Sequence, residues 1–176
     1  NNPNVNIKVF TNEINKGLGF NFWATASRAQ GKYYMIVFGD AATPADELKK
    51  IVSNIGKADM ILTYFNDQRS FFRKTLSKLF VIVINLITSN NIKYYNANNI
   101  YLLENVKSFN KGGSGFAYAA ELITDLIRQK KTYIEIEVKP YLKPSEKSEA
   151  LKLHSIVSVI RSITIIFLKQ IIYMVR

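Results

Sequence analysis

Five short segments of this chain have the apolar pattern of β-strands, and five longer segments repeat their apolar residues at helical spacing. The predicted strands are Val5–Phe10, Tyr33–Phe38, Asp59–Tyr64, Ile100–Leu103 and Thr132–Val138. The predicted helices are Phe20–Ala29, Ala45–Ile55, Arg69–Thr88, Phe116–Lys130 and Leu151–Arg176. This alternation favours an α/β fold, a three-layer sandwich with a mostly parallel sheet in which the first three strands are neighbours.

The last predicted helix is amphipathic. One side carries Ser158, Arg161, Ser162, Lys169 and Arg176, and the other side is a broad apolar face from Val159 to Ile171. Charges interrupt every stretch of about 18 residues, so the pattern indicates a helix that lies at a membrane interface instead of crossing the bilayer. A helix packed on the sheet or on a partner subunit is the alternative. The sequence thus predicts a domain over residues 1–150 and an amphipathic helix over residues 151–176.

The charge balance is strongly basic. Lys and Arg number 24 against 13 Asp and Glu, which gives a formal charge of +11, and there is no cysteine. An excess of this size favours a phosphate-bearing partner, either a nucleotide diphosphate, an anionic lipid surface or a nucleic acid. No nucleic-acid motif is recognised, so we expect no nucleic-acid partner. A genome rich in A and T, which favours Lys, Asn and Ile codons, is the alternative explanation.

Several motifs resemble glycosyltransferase family 2 in the same order along the chain. The likeness is closest to the polyprenyl-phosphate transferases that are similar to dolichol-phosphate mannose synthase. It covers residues 5–160, and the family's opening strand and helix have no counterpart before Val5, so an incomplete fold of the nucleotide-diphospho-sugar transferase (GT-A) type is expected. The matching segments are Asn15–Gly19, Ala29–Tyr33, Met35–Asp40, Ala58–Ile61, Arg73–Ser77, Gly115–Ile123, Tyr133–Val138 and Lys147–Ala150.

The resemblance implies transfer of a sugar from a nucleotide-sugar donor. Asn15, Gly17, Gly39 and Asp40 would bind the donor, and Asp40 would hold Mg²⁺ or Mn²⁺ at the end of a strand. Asp40 and Glu121 would be the catalytic residues, with Glu121 touching a sugar hydroxyl or acting as a base. Asp40 as a helix cap and Glu121 as an ordinary helix residue are the alternatives. The family's second acidic position is occupied by Phe38 or Ala42.

The implied acceptor is a membrane polyprenyl phosphate or another glycan or lipid. Arg69, Arg73, Lys143 and Lys147 would bind its phosphate, whereas Phe65 stands where the family often has an arginine. A solvated basic face is the alternative for the two arginines. The expected location is cytoplasmic, at the inner face of the membrane, and a homo-oligomer stays open. A non-catalytic membrane-associated relative or a fragment of such an enzyme is the alternative function.

Overall fold

A computed structural model describes residues 7–39, 42–65, 71–109, 115, 117–141 and 153–175, with the backbone alone at 71–73 and 153–155. The described segments form a mixed α/β fold. The elements in chain order are α1 (Leu18–Arg28), β1 (Tyr33–Met35), α2 (Ala45–Val52), β2 (Met60–Tyr64), α3 (Phe71–Thr88), β3 (Ile100–Leu102), α4 (Leu103–Ser108), α5 (Tyr118–Arg128), β4 (Tyr133–Glu137) and α6 (Leu153–Val175).

The four described strands form one mixed sheet in the order β1-β3-β2-β4. Strand β3 is antiparallel to both β1 and β2, whereas β2 and β4 are parallel over five residue pairs. The prediction that β1 and β2 are neighbours in a mostly parallel sheet is therefore wrong, because β3 lies between them in the reverse direction. Ile100 and Tyr101 explain its central place, since each is buried in a different apolar cluster on an opposite face of the sheet.

The predicted strand Val5–Phe10 is also corrected by the structure. Only residues 7–10 of it are described, and they form no strand. Ile7, Val9 and Phe10 are exposed to solvent, so the alternation of apolar residues has no buried face to match. A second difference is α4, which follows β3 without a break where the sequence predicted only a strand.

The larger apolar cluster is on the sheet face covered by α1, α3, α5 and α6. Phe22 of α1 is fully buried at its centre, and its ring lies 4.6 to 5.0 Å from the rings of Trp23, Tyr34 and Tyr118. Burial of one such side chain stabilises a fold by about 1.5–3 kcal/mol. On the other face Ile51 of α2 packs with Ile61 and Ile100, so both faces of the sheet are covered.

Candidate functional site

The carboxyl ends of β1, β2 and β4 lie at one edge of the sheet because these strands run in the same direction. The segments that follow β1 and β4 meet there. The backbone N–H of Tyr141 donates to the carbonyl oxygen of Ala42 at 2.7 Å, and Lys50 Nζ donates to the carbonyl oxygen of Glu137 at 2.6 Å. Ligands of α/β sheets bind at such an edge, so we call it the carboxyl edge and place the candidate site there.

Two of the predicted donor-binding residues form a turn that begins α1. The backbone N–H of Gly17 donates to Asn15 Oδ1 at 2.9 Å, and Gly17 has a positive φ of 84° that favours glycine. Helix α1 packs back along β1, because Tyr34 OH donates to the carbonyl oxygen of Phe22 at 2.8 Å. The turn therefore lies toward the end of the sheet at which β1 ends, on the side of the carboxyl edge.

The predicted metal site is described only in part. Gly39 is an exposed turn residue after β1, and Asp40 lies outside the described residues. Within the described ranges no three His, Cys, Asp or Glu side chains come together as a metal site. The metal and catalytic roles of Asp40 therefore stay predictions.

A group of buried polar residues at the carboxyl edge was not predicted from the sequence. Asn99 Oδ1 accepts from the backbone N–H of Thr63 at 2.8 Å, and Asn98 Oδ1 accepts from Thr43 Oγ1 at 3.4 Å. Among the described residues, Thr63 Oγ1 and Asn98 Nδ2 are buried without a hydrogen-bond partner. The sequence signal for this group was the cluster of asparagines between Asn90 and Asn99. The overall composition of the chain explained that cluster equally well.

An open cavity of about 370 Å³ lies beside the end of β2. Three lysines from two parts of the chain border it, Lys74 and Lys78 on α3 and Lys93 after it, together with the hydroxyl of Ser77. We call this cavity the basic pocket. Its remaining lining is aromatic and aliphatic: Tyr64, Phe65, Val81, Ile82 and Tyr94.

Lys93 is held in the basic pocket by its surroundings. Its backbone N–H donates to Glu135 Oε1 at 2.7 Å, and its Nζ lies 4.0 Å from the centre of the Tyr64 ring. A hydrogen bond with Tyr64, aided by the charges of Glu135 and Glu137, raises the pKa of Lys93 above its usual value. Lys93 therefore stays a cation at any physiological pH.

The predicted phosphate-binding residues lie near the basic pocket only in part. Arg73 belongs to the first turn of α3, one residue before Lys74, and its side chain is not described. Arg69, Lys143 and Lys147 lie outside the described residues. Lys93 and Tyr94 were not predicted as site residues, because sequence spacing does not indicate that a loop residue contacts a helix 15 to 20 positions earlier.

Glu121 lies on α5 and is buried, with 2% of its surface exposed. Ser162 Oγ of α6 donates a short hydrogen bond to Glu121 Oε1. The structure thus places this carboxylate at the contact between α5 and α6. Its predicted part in catalysis stays a prediction.

Helix α6 is long and apolar enough over Ile156–Val175 to cross a membrane, by length and composition alone. Only 17% of the 18-residue apolar window within this span is buried inside the protein. The charges of Arg161 and Lys169 are the reason why the sequence analysis predicted an interfacial helix. The helix nevertheless meets the criteria of length and composition for crossing a membrane. Among the residues that the structure describes, α6 is thus the one helix whose length and composition would allow it to cross a membrane.

No family model matches this chain, and no curated protein matches it either.

Proposed function

We propose that this protein is a glycosyltransferase that moves a sugar from a nucleotide-sugar donor to a polyprenyl phosphate at a membrane surface. The observation that carries the proposal is the basic pocket beside the end of β2 and the apolar surface next to it. Such a site suits an acceptor with a charged phosphate head and an apolar tail.

The pocket has the chemistry of a phosphate site. The ammonium groups of Lys74, Lys78 and Lys93 and the Ser77 hydroxyl supply donors for phosphate oxygens, and hydrogen bonds to an ionised group are the strong ones. Aromatic and aliphatic side chains such as Phe65 fill the rest of the lining and suit the first isoprene units of a tail. The resemblance leads us to expect an arginine at position 65, where this chain has Phe65. The three lysines would supply the missing positive charge.

The pocket continues into an exposed apolar surface. Ile82 lines the pocket and is 53% exposed, and Leu79 and Leu86 on the same helix are exposed as well. Helix α3 packs against α6, whose outward residues Phe167 and Leu168 are also exposed. A surface of this kind next to lysines favours contact with an anionic membrane, where a polyprenyl phosphate resides.

The donor half of the proposal depends on the resemblance. The turn at Asn15 and Gly17 and the residues Gly39 and Asp40 would hold the nucleotide diphosphate, with Mg²⁺ or Mn²⁺ on Asp40. The location of that turn on the side of the carboxyl edge supports this assignment. The proposal includes a three-layer fold of the nucleotide-diphospho-sugar transferase type and a location at the cytoplasmic face of the membrane.

Calorimetric titration with farnesyl phosphate tests the acceptor half. We expect binding that is tighter than that of farnesol or of inorganic phosphate, because only farnesyl phosphate uses both parts of the site. Lys78→Met should weaken the affinity about tenfold, the effect of one lost charge-assisted contact. The matched control is Lys57→Met, a lysine between α2 and β2 that contacts Asn54 and does not line the basic pocket. Equal binding of farnesol and farnesyl phosphate would contradict the proposal.

The donor half needs a second measurement, in which nucleotide sugars are supplied with Mn²⁺ and the labelled farnesyl phosphate is followed for sugar transfer. Transfer that Asp40→Asn abolishes is the expected result. Binding of farnesyl phosphate with no nucleotide-sugar binding would favour the non-catalytic, membrane-associated relative instead.

A further inference from the structure

Helix α6 is attached to α5 by a row of polar contacts. Ser162 Oγ donates to Glu121 Oε1, and Lys169 Nζ lies 3.6 Å from Asp125 Oδ1. Arg128 donates from Nε to Gln170 Oε1 at 3.0 Å and from a terminal nitrogen to the carbonyl oxygen of Ile166 at 3.2 Å. We call this row the α5–α6 seam: Glu121, Asp125 and Arg128 on α5, and Ser162, Ile166, Lys169 and Gln170 on α6.

The seam is largely buried. Ser162 is 3% exposed and the side chain of Arg128 is 10% exposed. Burial lowers the pKa of the Arg128 guanidinium, and the nearby charge of Asp125 opposes this effect. Groups of this kind lose much of their hydration on burial, so they must keep their partners across the seam.

A close approach of the two segments extends the seam by one more turn of α6. At Gly115, a few residues before α5, an added Cβ would lie 1.6 Å from Ser158 Oγ and 2.8 Å from Ser158 Cβ. Any side chain at position 115 would therefore push α6 away. Ser158, Ser162, Ile166 and Gln170 follow one another at steps of four residues, so they form one stripe along α6.

The outward face of α6 is different. Ile160, Phe167, Leu168 and Ile171 are exposed apolar residues that lie off the seam stripe. Helix α6 thus turns the seam stripe to its own domain and a largely apolar surface outward, although Arg161 is exposed as well. A lone helix that crossed a bilayer would need apolar side chains on all its sides, because lipid would surround it, and the polar residues of the seam stripe do not meet this need.

We infer that the α5–α6 seam holds α6 flat along the domain, so that the helix lies in the plane of the membrane and does not cross it. Crossing would break the seam, or it would draw Glu121, Asp125 and Arg128 into hydrocarbon. Helix α5 cannot follow α6, since Leu122, Ile123 and Leu126 are fully buried in the core. Glu121 and Arg128 therefore position the membrane-facing helix against the domain. The inference depends on the membrane contact in the proposed function.

The topology of α6 tests the inference directly. The full chain is produced in bacterial cells with a protease-cleavable tag after Arg176, and protease is added to intact spheroplasts and to lysed ones. We expect the membrane-bound chain to lose the tag only after lysis, because both ends of α6 stay on the domain's side. Cleavage in intact spheroplasts would show that α6 crosses the membrane and would overturn the inference.

Backbone hydrogen exchange of α6 tests the part played by the seam. Ser162→Ala should speed the exchange of α6 amides about tenfold, because it removes a donor to a buried carboxylate. The matched control is Thr164→Val, since the Thr164 hydroxyl is exposed and donates only to the carbonyl oxygen of Ile160 in its own helix. Glu121→Gln should keep α6 protected, because the amide retains an oxygen that accepts from Ser162.

Two further outcomes separate this inference from the proposed function. Unchanged exchange in Ser162→Ala would show that the seam does not hold α6, and it would leave the farnesyl phosphate results untouched. A chain that stays entirely in the soluble fraction would overturn both the in-plane placement and the membrane part of the proposed function. Farnesyl phosphate binding, measured without a membrane, would still decide the acceptor half.

Discussion

The basic pocket and the α5–α6 seam both gather charged side chains, but they differ in burial and in pairing. In the pocket, Lys78 and Lys93 are exposed and border an open cavity. In the seam, Glu121 is buried, the side chain of Arg128 is only 10% exposed, and both contact other polar groups of the same chain. Exposed charges contribute little to folding and stay accessible to a ligand, whereas buried charges need their partners. Substitutions in the seam should therefore lower the stability of the fold with little effect on ligand binding. Substitutions in the pocket should weaken ligand binding with little effect on stability.

The largest expected effect is the loss of Arg128. Arg128→Ala removes the hydrogen bonds to Gln170 and to the carbonyl oxygen of Ile166 and leaves Asp125 with one cation fewer. We expect the free energy of unfolding to fall by about 3 kcal/mol. Urea denaturation measures this change, and Lys49→Ala, at an exposed ion pair with Asp46, is the control that should change it by less than about 0.5 kcal/mol. Equal effects of the two substitutions would remove the distinction between seam and surface.

A somewhat smaller effect is expected at the close approach of Gly115 to α6. Gly115→Ala places a Cβ against Ser158, and the free energy of unfolding should fall by about 2 kcal/mol, as for other overpacked positions. Gly39→Ala is the matched control, because a Cβ at Gly39 has no atom within 4 Å among its described surroundings. Thermal unfolding of both variants compares them. Similar melting temperatures would mean that α6 moves away from Gly115 without cost.

A buried polar group without a hydrogen-bond partner differs from both the paired groups of the seam and the exposed lysines of the pocket. Thr63 is 1% exposed, and its Oγ1 has no hydrogen-bond partner in the described part of the chain. Thr63→Val replaces the hydroxyl with a methyl group of similar shape, so the free energy of unfolding should rise by about 1 kcal/mol. Urea denaturation decides the sign. A decrease would show that water or a ligand satisfies the hydroxyl in solution.

The sequence predicted local features of these regions better than their pairing. Helices α2, α3, α5 and α6 were expected within a few residues of their observed bounds, because their apolar residues repeat at helical spacing over two turns or more. The direction and central place of β3 were not expected. A strand of three residues carries no information about its neighbours, which are set by contacts far apart in the sequence.

The candidate site shows the same limit. Gly17 was recognised from a local turn motif, and the structure places it in such a turn. The pairing of Glu121 with Ser162 joins residues 41 positions apart, and Lys93 reaches the pocket from a loop after α3. Neither contact follows from spacing, since only packing of the helices on the sheet brings these residues together. Asp40 and Arg69, on which the predicted chemistry depends, lie outside the described residues.

The smallest expected effect concerns an exposed carboxylate that is nevertheless well paired. Asp59, just before β2, accepts from the backbone N–H of Thr132 at 2.7 Å and from its hydroxyl at 2.8 Å. These hydrogen bonds hold the pKa of Asp59 below its usual value. A carboxyl group whose pKa is lowered by folding stabilises the folded state above its unfolded pKa of about 3.9, and that contribution disappears as the pH falls through the lower folded pKa. Asp59→Asn should therefore lower stability at pH 7 by well under about 1 kcal/mol, because solvent weakens the interaction, and should flatten the loss of stability below about pH 4. Urea midpoints of the wild type and the variant at pH 7 and pH 3 measure both effects. If the variant lost as much stability as the wild type on acidification, Asp59 would have no part in the acid sensitivity of the sheet. Exposed carboxylates of this kind would then resemble the lysines of the basic pocket, on which folding does not depend.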